Sequence, residues 1–408
     1  MAETGKRPET ALSKVRVLDL GRVLAGPYCG QILGDMGAEV IKVEHPVRGD
    51  DTRAWKPPTV GDDAAYFCAV NRNKRSIGID LASDGGRNLL LDLAKNSDVL
   101  VENFRPGVTK RLGIDYAEVA KVNPNLIYCS ISGFGQEGPM AQRAAYDYVV
   151  QATAGIIALT GEPERIPIRC AGAISDYGTG LWSVVAVLFA LMERERTGKG
   201  QHIDMAMNDT TMLYLSHVAA MYFADGLTPN RVGNGHEKIV PTDVYQTKDE
   251  PLMVLCGNDG MFERLAKAIG RPDMLDDPRF RTNIDRSANL SPLGEIMREA
   301  MLTDTRANWE KRLSEADVAF APIRSIEEAY TADDVVERNM VMELQHGSGE
   351  TFRVLGSPLK MSASPVNENP LPPPMLGEHS QEILQEVLGL DDEAIDALRQ
   401  SGAINTAG

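Results

Sequence analysis

One carboxylate in this chain stands where covalent chemistry could occur. Asp176 lies in "GAISDYGTG", among small residues, and the apolar run "LWSVVAVLFALM" follows at once. An aspartate before a helix ordinarily acts as an N-cap, accepting hydrogen bonds from the first free N–H groups. The same physics suits a nucleophile. The dipole and free N–H groups of a helix N-terminus keep a carboxylate ionised, and aspartate is a competent covalent nucleophile. Gly178 and Gly180 would remove side chains beside it and let a substrate carbonyl approach. Composition and spacing leave both readings open.

Other groups invite chemistry less strongly. "NRNKRS" places Arg72, Lys74 and Arg75 before a strand, and "NFRPGVTKRLG" places Arg105, Lys110 and Arg111 after one. Ligands of open parallel sheets bind outside the carboxyl ends of the strands. Two basic clusters converging there would suit phosphates; a solvated basic face is the plainer reading. "GRVLAGPYCG" follows a strand and opens a helix but lacks the G-x-G-x-x-G spacing, so it reads as a tight turn. Cys129 and Ser130 end a strand, and a nucleophile there needs a base within reach. None of the six histidines, His45, His202, His217, His236, His346 and His379, sits in a motif that pairs with one. Core packing is therefore expected for Cys129.

The elements that must position Asp176 can be read from periodicity. "KVRVLDLG", "AEVIKVEHP", "SIGIDL", "DVLVENF", "NLIYCSISGFG" and "QHIDMAM" read as strands, with helical stretches such as "GPYCGQILGDMG" and "DGGRNLLLDLAKNS" between them. Alternating strands and helices predict an α/β fold with a parallel sheet covered on both faces. A long helix begins at Asp176 and ends near "RTGKG". "LTPNRVGNGHEKIVPTD" reads as a linker into a smaller α+β domain, which opens on the hairpin "VYQTKDEPLMVLCG". The expected domains are 1–225, a large Rossmann-like part, 226–335, a small domain, and 336–408, a return to the large domain. A short amphipathic helix, "SQEILQEVLGL", closes the chain.

The chain has 408 residues, 43% hydrophobic and 25% charged, as expected of a soluble globular protein of two domains. Its net charge of −16 argues against nucleic acid or anionic membrane as a partner. Five widely spaced cysteines, with no C-x-x-C, suggest neither disulfides nor a metal site and fit a reducing cytoplasm. The polar N-terminus has no apolar segment of a secretory signal. The run Leu181 to Met192 reads as too short to span a bilayer.

In their order, "VLDLGRVLAGPYCGQILGDMGAEVIKVE", "GDDTRAW", "NRNKRSIGIDL", "VENFRPGVTKRLG", "YCSISGFGQEGP", "AYDYVVQATAG", "SDYGTG", "RTGKGQHIDMAM" and "PPPMLGEHS" resemble the class III CoA-transferases (formyl-CoA transferase, or CaiB/BaiF, type) along nearly the whole chain. The family also includes α-methylacyl-CoA racemase. The resemblance implies that Asp176 is the catalytic aspartate, forming an aspartyl anhydride and then an aspartyl-CoA thioester. It implies coenzyme A contacts at Val23, Leu24, His45, Lys74, Asn103, Phe104, Arg111 and Leu112, with Tyr146 at the site. His45 stands where formyl-CoA transferase has an arginine, Leu24 replaces a glutamine and Ala144 a lysine. The racemase needs a histidine as second base; Tyr146 occupies that position, as in the transferases, and a phenol with a pKa of about 10 is a poor base near pH 7.

Further expectations come with the resemblance: an interlocked homodimer, a glycine-containing lid at "RVGNGHEK", no permanently bound cofactor, no metal, and coenzyme A and carboxylic acids as substrates. "GDDTRAW" and "NGHEKIVPTDVYQTKD" look most like the succinyl-CoA:dicarboxylate branch, with Arg48, Arg53 and Arg143 as candidates for a distal carboxylate. A racemase-type isomerase and a non-catalytic acyl-CoA binder are the alternatives.

Overall fold

The computed structural model describes residues 10–236, 238–366 and 369–405. Residues 1–9 of the polar N-terminus, Glu237 of the expected lid, and Asn367 and Glu368 of the proline-rich stretch lie outside them.

The chain divides into two compact units, residues 1–156, 171–216 and 333–408 forming one and residues 157–170 and 217–332 the other. The excursion 157–170, expected within the large domain, belongs by its contacts to the second unit.

In the first unit the order is β1 (Arg16–Asp19), α1 (Ala25–Asp35), β2 (Glu39–Glu44), β3 (Lys74–Ile79), α2 (Asp84–Lys95), β4 (Val99–Glu102), β5 (Ile127–Ser132), α3 (Asp147–Thr153), α4 (Ile174–Thr197) and β6 (His202–Ala206). The chain returns through α5 (Ser380–Leu388), α6 (Asp392–Gln400) and β7 (Ile404–Asn405). The sheet runs β7-β3-β2-β1-β4-β5-β6. Strands β1 to β6 are parallel, and β7 pairs antiparallel with β3 on the edge. The sequence reading ended the chain on α5 and missed both α6 and this edge strand. The two residues of β7 are too short to show a period.

Alternate residues of each strand serve opposite faces, as the period of two demands. Val17, Val40, Val101 and Cys129 pack on one side with α1 and α4, where Leu33, Val184 and Val187 are buried. Leu18, Ile41, Leu100 and Tyr128 pack on the other with Leu89, Leu90 and Leu93 of α2 and Ile383 of α5. Both faces being covered explains the nearly continuous apolar runs.

The strand order reverses between β1 and β4. In doubly wound sheets this is where the loops leaving two neighbouring carboxyl ends part and open a crevice. Helix α4 is long and apolar enough by length and composition to cross a membrane, so the reading of its apolar run as too short does not hold. Half of its most apolar stretch is buried inside this unit.

The second unit holds a three-stranded antiparallel sheet of Thr242–Gln246, Pro251–Leu255 and Ala319–Pro322, the middle strand in sequence also central in the sheet. Helices Asp259–Ala268, Leu290–Met301 and Arg306–Glu315 contribute Leu265, Met297 and Trp309 to its core. Buried Trp309 donates its indole N–H to Met301 O at 2.7 Å.

Candidate active site

The loops leaving β1 and β4 are tied together at the reversal point. Asn103 accepts the Arg22 N–H on Oδ1 at 2.7 Å and donates Nδ2 to Arg22 O at 2.8 Å. Between Arg22 and α1, Val23 adopts a φ of +66°. For a β-branched residue this is strained, costing about 1–3 kcal/mol, and it persists only where its surroundings impose it. Here the Val23 N–H donates to Asp50 Oδ1 at 3.2 Å. Asp50 is itself fixed by Lys42 Nζ at 3.0 Å and by the Thr52 N–H and hydroxyl. Burial alone would raise the pKa of Asp50. The Lys42 ammonium and the Thr52 donors outweigh it and hold the carboxyl at about 2.

Asp176 is not the cap of its helix. Helix α4 starts at Ile174, which puts Asp176 in its first turn, and the capping position, Ala173, offers no side-chain acceptor. The cap comes from another element. Asp147, the first residue of α3, accepts the N–H groups of Ser175 at 2.7 Å and of Asp176 at 3.2 Å on Oδ2. Its Oδ1 accepts Gln151 Nε2 at 2.6 Å. The carboxylate of Asp176 in turn accepts the N–H of Ala25, the first residue of α1. Two helix N-termini therefore meet at this residue, each with a free N–H satisfied by a carboxylate of another helix.

The electrostatic balance differs from the expectation that the helix terminus keeps Asp176 ionised. Burial raises its pKa, the Asp147 carboxylate raises it further, and the Ala25 N–H opposes both, leaving it at about 7. The glycines beside it also do other work. A Cβ at Gly180 would lie 2.8 Å from Ala25 O and 3.1 Å from the Tyr28 ring, so this glycine lets α4 approach α1. A Cβ at Gly178 would overlap the hydroxyl of Tyr214. Neither clears a path for substrate. Tyr66, stacked edge-on against Trp55 with ring centres 5.0 Å apart, has its phenol pKa raised by burial and then by the Asp176 charge.

A cavity of about 320 Å³ opens on Asp176 and is lined by Arg22, Val23, Asn103, Phe104, Arg105, Ser132, Arg143 and Tyr146, among others. A second, of about 240 Å³, is lined by His45, Arg48, Ile79, Phe104 and Leu112 and shares Arg22, Asp51 and Phe104 with the first. Of the residues expected to touch coenzyme A, Val23, Asn103 and Phe104 thus fall on the first cavity with Tyr146, and His45, Phe104 and Leu112 on the second. Arg111 is exposed next to Leu112. Three of these residues have a further task. Asn103 spends its amide on the Arg22 backbone, Val23 carries the strained turn, and His45 Nδ1 accepts the N–H groups of Val47 and Arg48 at 3.2 Å.

Three expected contacts, exposed Arg111 and two buried residues, line neither cavity. Leu24 is 1% exposed, in the core ahead of α1. Lys74 is fully buried, its ammonium bound to Asp19 at 2.7 Å, Pro27 O at 2.6 Å and Asn71 Oδ1 at 2.8 Å. Burial lowers its pKa, to about 8, against the pull of Asp19.

The two basic clusters do not converge either. Lys74 opens β3, whereas Arg105 follows the end of β4. Arg72 is spent on Asp35, and Arg75 on Glu39 and Glu386. Arg53 is buried between Glu44 and Asp63 and is no free cation for a substrate. Arg105, Lys110 and Arg111 are exposed.

Sequence reasoning did not single out Asp147, Ala25 or Glu102. An acid opening "DYVVQAT" is the trace Asp147 leaves, because first-turn acids favour helix N-termini. Glu102, 2% exposed, accepts the Phe104 N–H at 2.8 Å and is pushed up to about 7 by burial. Its neighbour Ser130 lies 3.0 Å from His202 Nε2, a serine–histidine pair that 72 residues of sequence separate. Neither lines the cavity at Asp176. Cys129 is a core thiol, pushed up to about 12 by burial.

The match to known proteins runs along this same framework. Residues 12–380 match the model of CoA-transferase family III. The chain is 39% identical to succinyl-CoA:glutarate CoA-transferase of Mus musculus, over 96% of this chain and 90% of that protein. It is 42% identical to succinate–glutarate CoA-transferase of Agrobacterium fabrum, over 92% and 95%. It is also 42% identical to acetyl-CoA:oxalate CoA-transferase of Acetobacter aceti, over 88% and 91%. Among solved structures, a CaiB/BaiF family protein of Brucella suis superposes with a TM-score of 0.83 at 40% identity, covering 94% of this chain and all of the other. Rv3272 of Mycobacterium tuberculosis gives 0.80 at 30%, covering 92% and 99%. This chain belongs to CoA-transferase family III, and is an enzyme that transfers coenzyme A.

Proposed function

We propose that Asp176 is the nucleophile of this transfer and that the exchanged acids are dicarboxylic. The observation that carries the first part is the carboxylate itself, set in the wall of the cavity between two helix N-termini. One Oδ attacks the thioester carbonyl of the donor, the C–S bond breaks, and coenzyme A thiolate leaves an aspartyl–acyl anhydride. The thiolate then attacks the aspartyl carbonyl, the anhydride C–O bond breaks, and the donor acid departs as carboxylate. The acceptor carboxylate attacks the resulting aspartyl thioester, giving a second anhydride and thiolate. Attack of that thiolate on the acceptor acyl carbon releases the new acyl-CoA and restores Asp176. The sequence is isoelectronic throughout and needs no proton beyond those on the acids.

Each attack develops charge on a carbonyl oxygen, which donors already in place stabilise. The Ala25 N–H is one such donor for the aspartyl oxygens. The named activities of the relatives support succinyl-CoA as donor and glutarate as one acceptor. The racemase reading lacks a second base, because no histidine lines the cavity among the described residues.

Two copies of the chain interlocking is the assembly we infer. In its support, Leu181, Trp182, Phe189 and Met192 of α4 are 42–67% exposed, a large apolar face for a helix of a lone chain. The free cysteines, Cys29, Cys68, Cys129 and Cys256 of them buried, fit a cytoplasmic site.

The test is to incubate the purified chain with succinyl-CoA and a panel of carboxylic acids and to follow new thioesters by mass spectrometry. Transfer by the native protein and none by Asp176→Ala is the expected result. Transfer that persists in Asp176→Ala removes the nucleophile from the proposal. Transfer to monocarboxylates alone removes the substrate class.

A further inference from the structure

The cavity at Asp176 has two unlike sides. One side, Arg22, Asn103 and Phe104, continues into the second cavity, where Arg22, Asp51 and Phe104 recur. A long substrate such as an acyl-CoA has to extend along this side. Its cation is already engaged: Arg22 lies 3.3 Å from Asp51 and over the Phe104 ring, 5.1 Å from its centre. The other side is formed by Ile131, Ser132 and Gly133 at the end of β5 and by the segment Ala141 to Tyr146. It belongs to the first cavity only. Of its residues Ser132, Gly133, Ala141, Ala144 and Ala145 are small, and Arg143 is charged; Arg105, beside Phe104 in sequence, also lines the first cavity and not the second. The guanidinium is exposed and forms no ion pair among the described residues. Ser132, which lines the same cavity, is 6% exposed, and its hydroxyl, sealed from solvent, has no hydrogen-bond partner among the described residues. A buried unpaired hydroxyl is costly and needs an explanation from its surroundings.

We propose that this side is the acyl subsite, in which Arg143 receives the distal carboxylate of a dicarboxylic acyl group and Ser132 turns its hydroxyl to the same anion. This rests on the reading of Asp176 as the nucleophile. With the reacting carbonyl at Asp176 and the coenzyme leading away past Phe104, the acyl chain points to the small-residue side. An arginine there can grip a carboxylate through two parallel N–H groups, which a lysine or a neutral donor cannot reproduce. Of the three arginines considered from sequence, Arg53 is consumed by Glu44 and Asp63, and Arg48 lines the other cavity. Arg143 alone of the three lines the cavity of the nucleophile.

The experiment compares two self-exchange reactions of the full chain: succinyl-CoA with isotopically labelled succinate, and butyryl-CoA with labelled butyrate. Each pair has four acyl carbons and no net driving force, and they differ in the distal carboxylate. The native protein is expected to favour succinate. Arg143→Gln is expected to slow succinate exchange about 10- to 100-fold, the range for losing a hydrogen bond to a charged group, and to leave butyrate exchange unchanged within about threefold. Ser132→Ala should reduce succinate exchange only, by a smaller factor. Equal losses on both acids in Arg143→Gln, or no loss on succinate, overturn the subsite. A native protein that exchanges butyrate as fast as succinate overturns it too, while transfer through Asp176 stands. A native protein that exchanges neither acid and forms no thioester with any other overturns both. Arg143 is exposed, so its variant should fold, and an unchanged melting temperature would confirm that.

Discussion

Asp176→Asn should make the protein more stable, and more so as the pH rises. Asparagine copies the shape of the protonated acid and keeps an oxygen for the Ala25 N–H, but it carries no charge to bury. The magnitude follows from linkage. A carboxyl raised in the native state from 3.8 to about 7 binds its proton more tightly folded than unfolded. Below the unfolded value it costs nothing. Between the two values the unfolded state ionises first, so stability falls as pH rises, and above about pH 7 the full cost is present. At about 1.36 kcal/mol per pKa unit this comes to about 4 kcal/mol at pH 8 and about 2 kcal/mol at pH 5.5. Solvent reaching this partly buried group reduces both, so about 2–4 kcal/mol is the expected gain at pH 8. Chemical denaturation of both proteins at the two pH values, read by circular dichroism, measures it. The variant should be inactive, more stable at pH 8, and by a clearly smaller margin at pH 5.5. A margin that does not change with pH, or a less stable variant at pH 8, would refute the account of how this carboxylate is held.

Further outcomes follow from the same geometry. If Asp176 attacks as the carboxylate, the transfer rate should rise with pH through an apparent pKa near 7 and then level off. Asp147→Asn, which keeps an acceptor for the α4 N–H groups but removes a neighbouring negative charge, should move that limb to lower pH at a stability cost of about 1 kcal/mol. Lys74→Met should destabilise the fold by about 3–5 kcal/mol, the cost of stranding buried Asp19, while the KM for acyl-CoA of the folded enzyme stays unchanged. Were Lys74 a coenzyme contact, that KM would rise instead. Gly180→Ala pushes a Cβ to 2.8 Å from Ala25 O. It should cost about 1–3 kcal/mol, and because Ala25 N–H is displaced with the carbonyl, kcat should fall while KM holds.

Much of the framework was legible because it is written in local patterns. The six parallel strands announce themselves as short apolar or alternating runs set between helical stretches. Asp176 stood out as a lone acid ahead of a long apolar helix. What sequence could not supply was which partner each charge would find. Lys74 and Arg105 look alike as members of basic clusters, yet one is fully buried beside Asp19 and the other exposed. The difference is set by pairing across the sheet, 55 residues apart for Lys74 and Asp19. The cap of α4 was out of reach of the sequence for the same reason. A local rule points to the nearest acid, Asp176, while the acceptor that caps the helix, Asp147, arrives from 28 residues upstream. Gly178 and Gly180 were read as open space beside a substrate, but tertiary packing fills both places with Tyr214 and α1.

The last strand of the sheet has a bearing on how the protein comes into being. Ile404 and Asn405 cover the edge of β3, and α5 supplies Ile383 to the same side of the core. A ribosome adding about 5–20 residues per second finishes β3 long before it makes either. Until then β3 offers its unpaired backbone groups to any other strand, a known route to misassembly. Residues 217–332, nearly all of the second unit, are complete by that time and can collapse on their own contacts. The large unit stays partly formed until these segments are made, and a chain cut just ahead of Ile404, with the edge of β3 left uncovered, should aggregate more readily than the intact one.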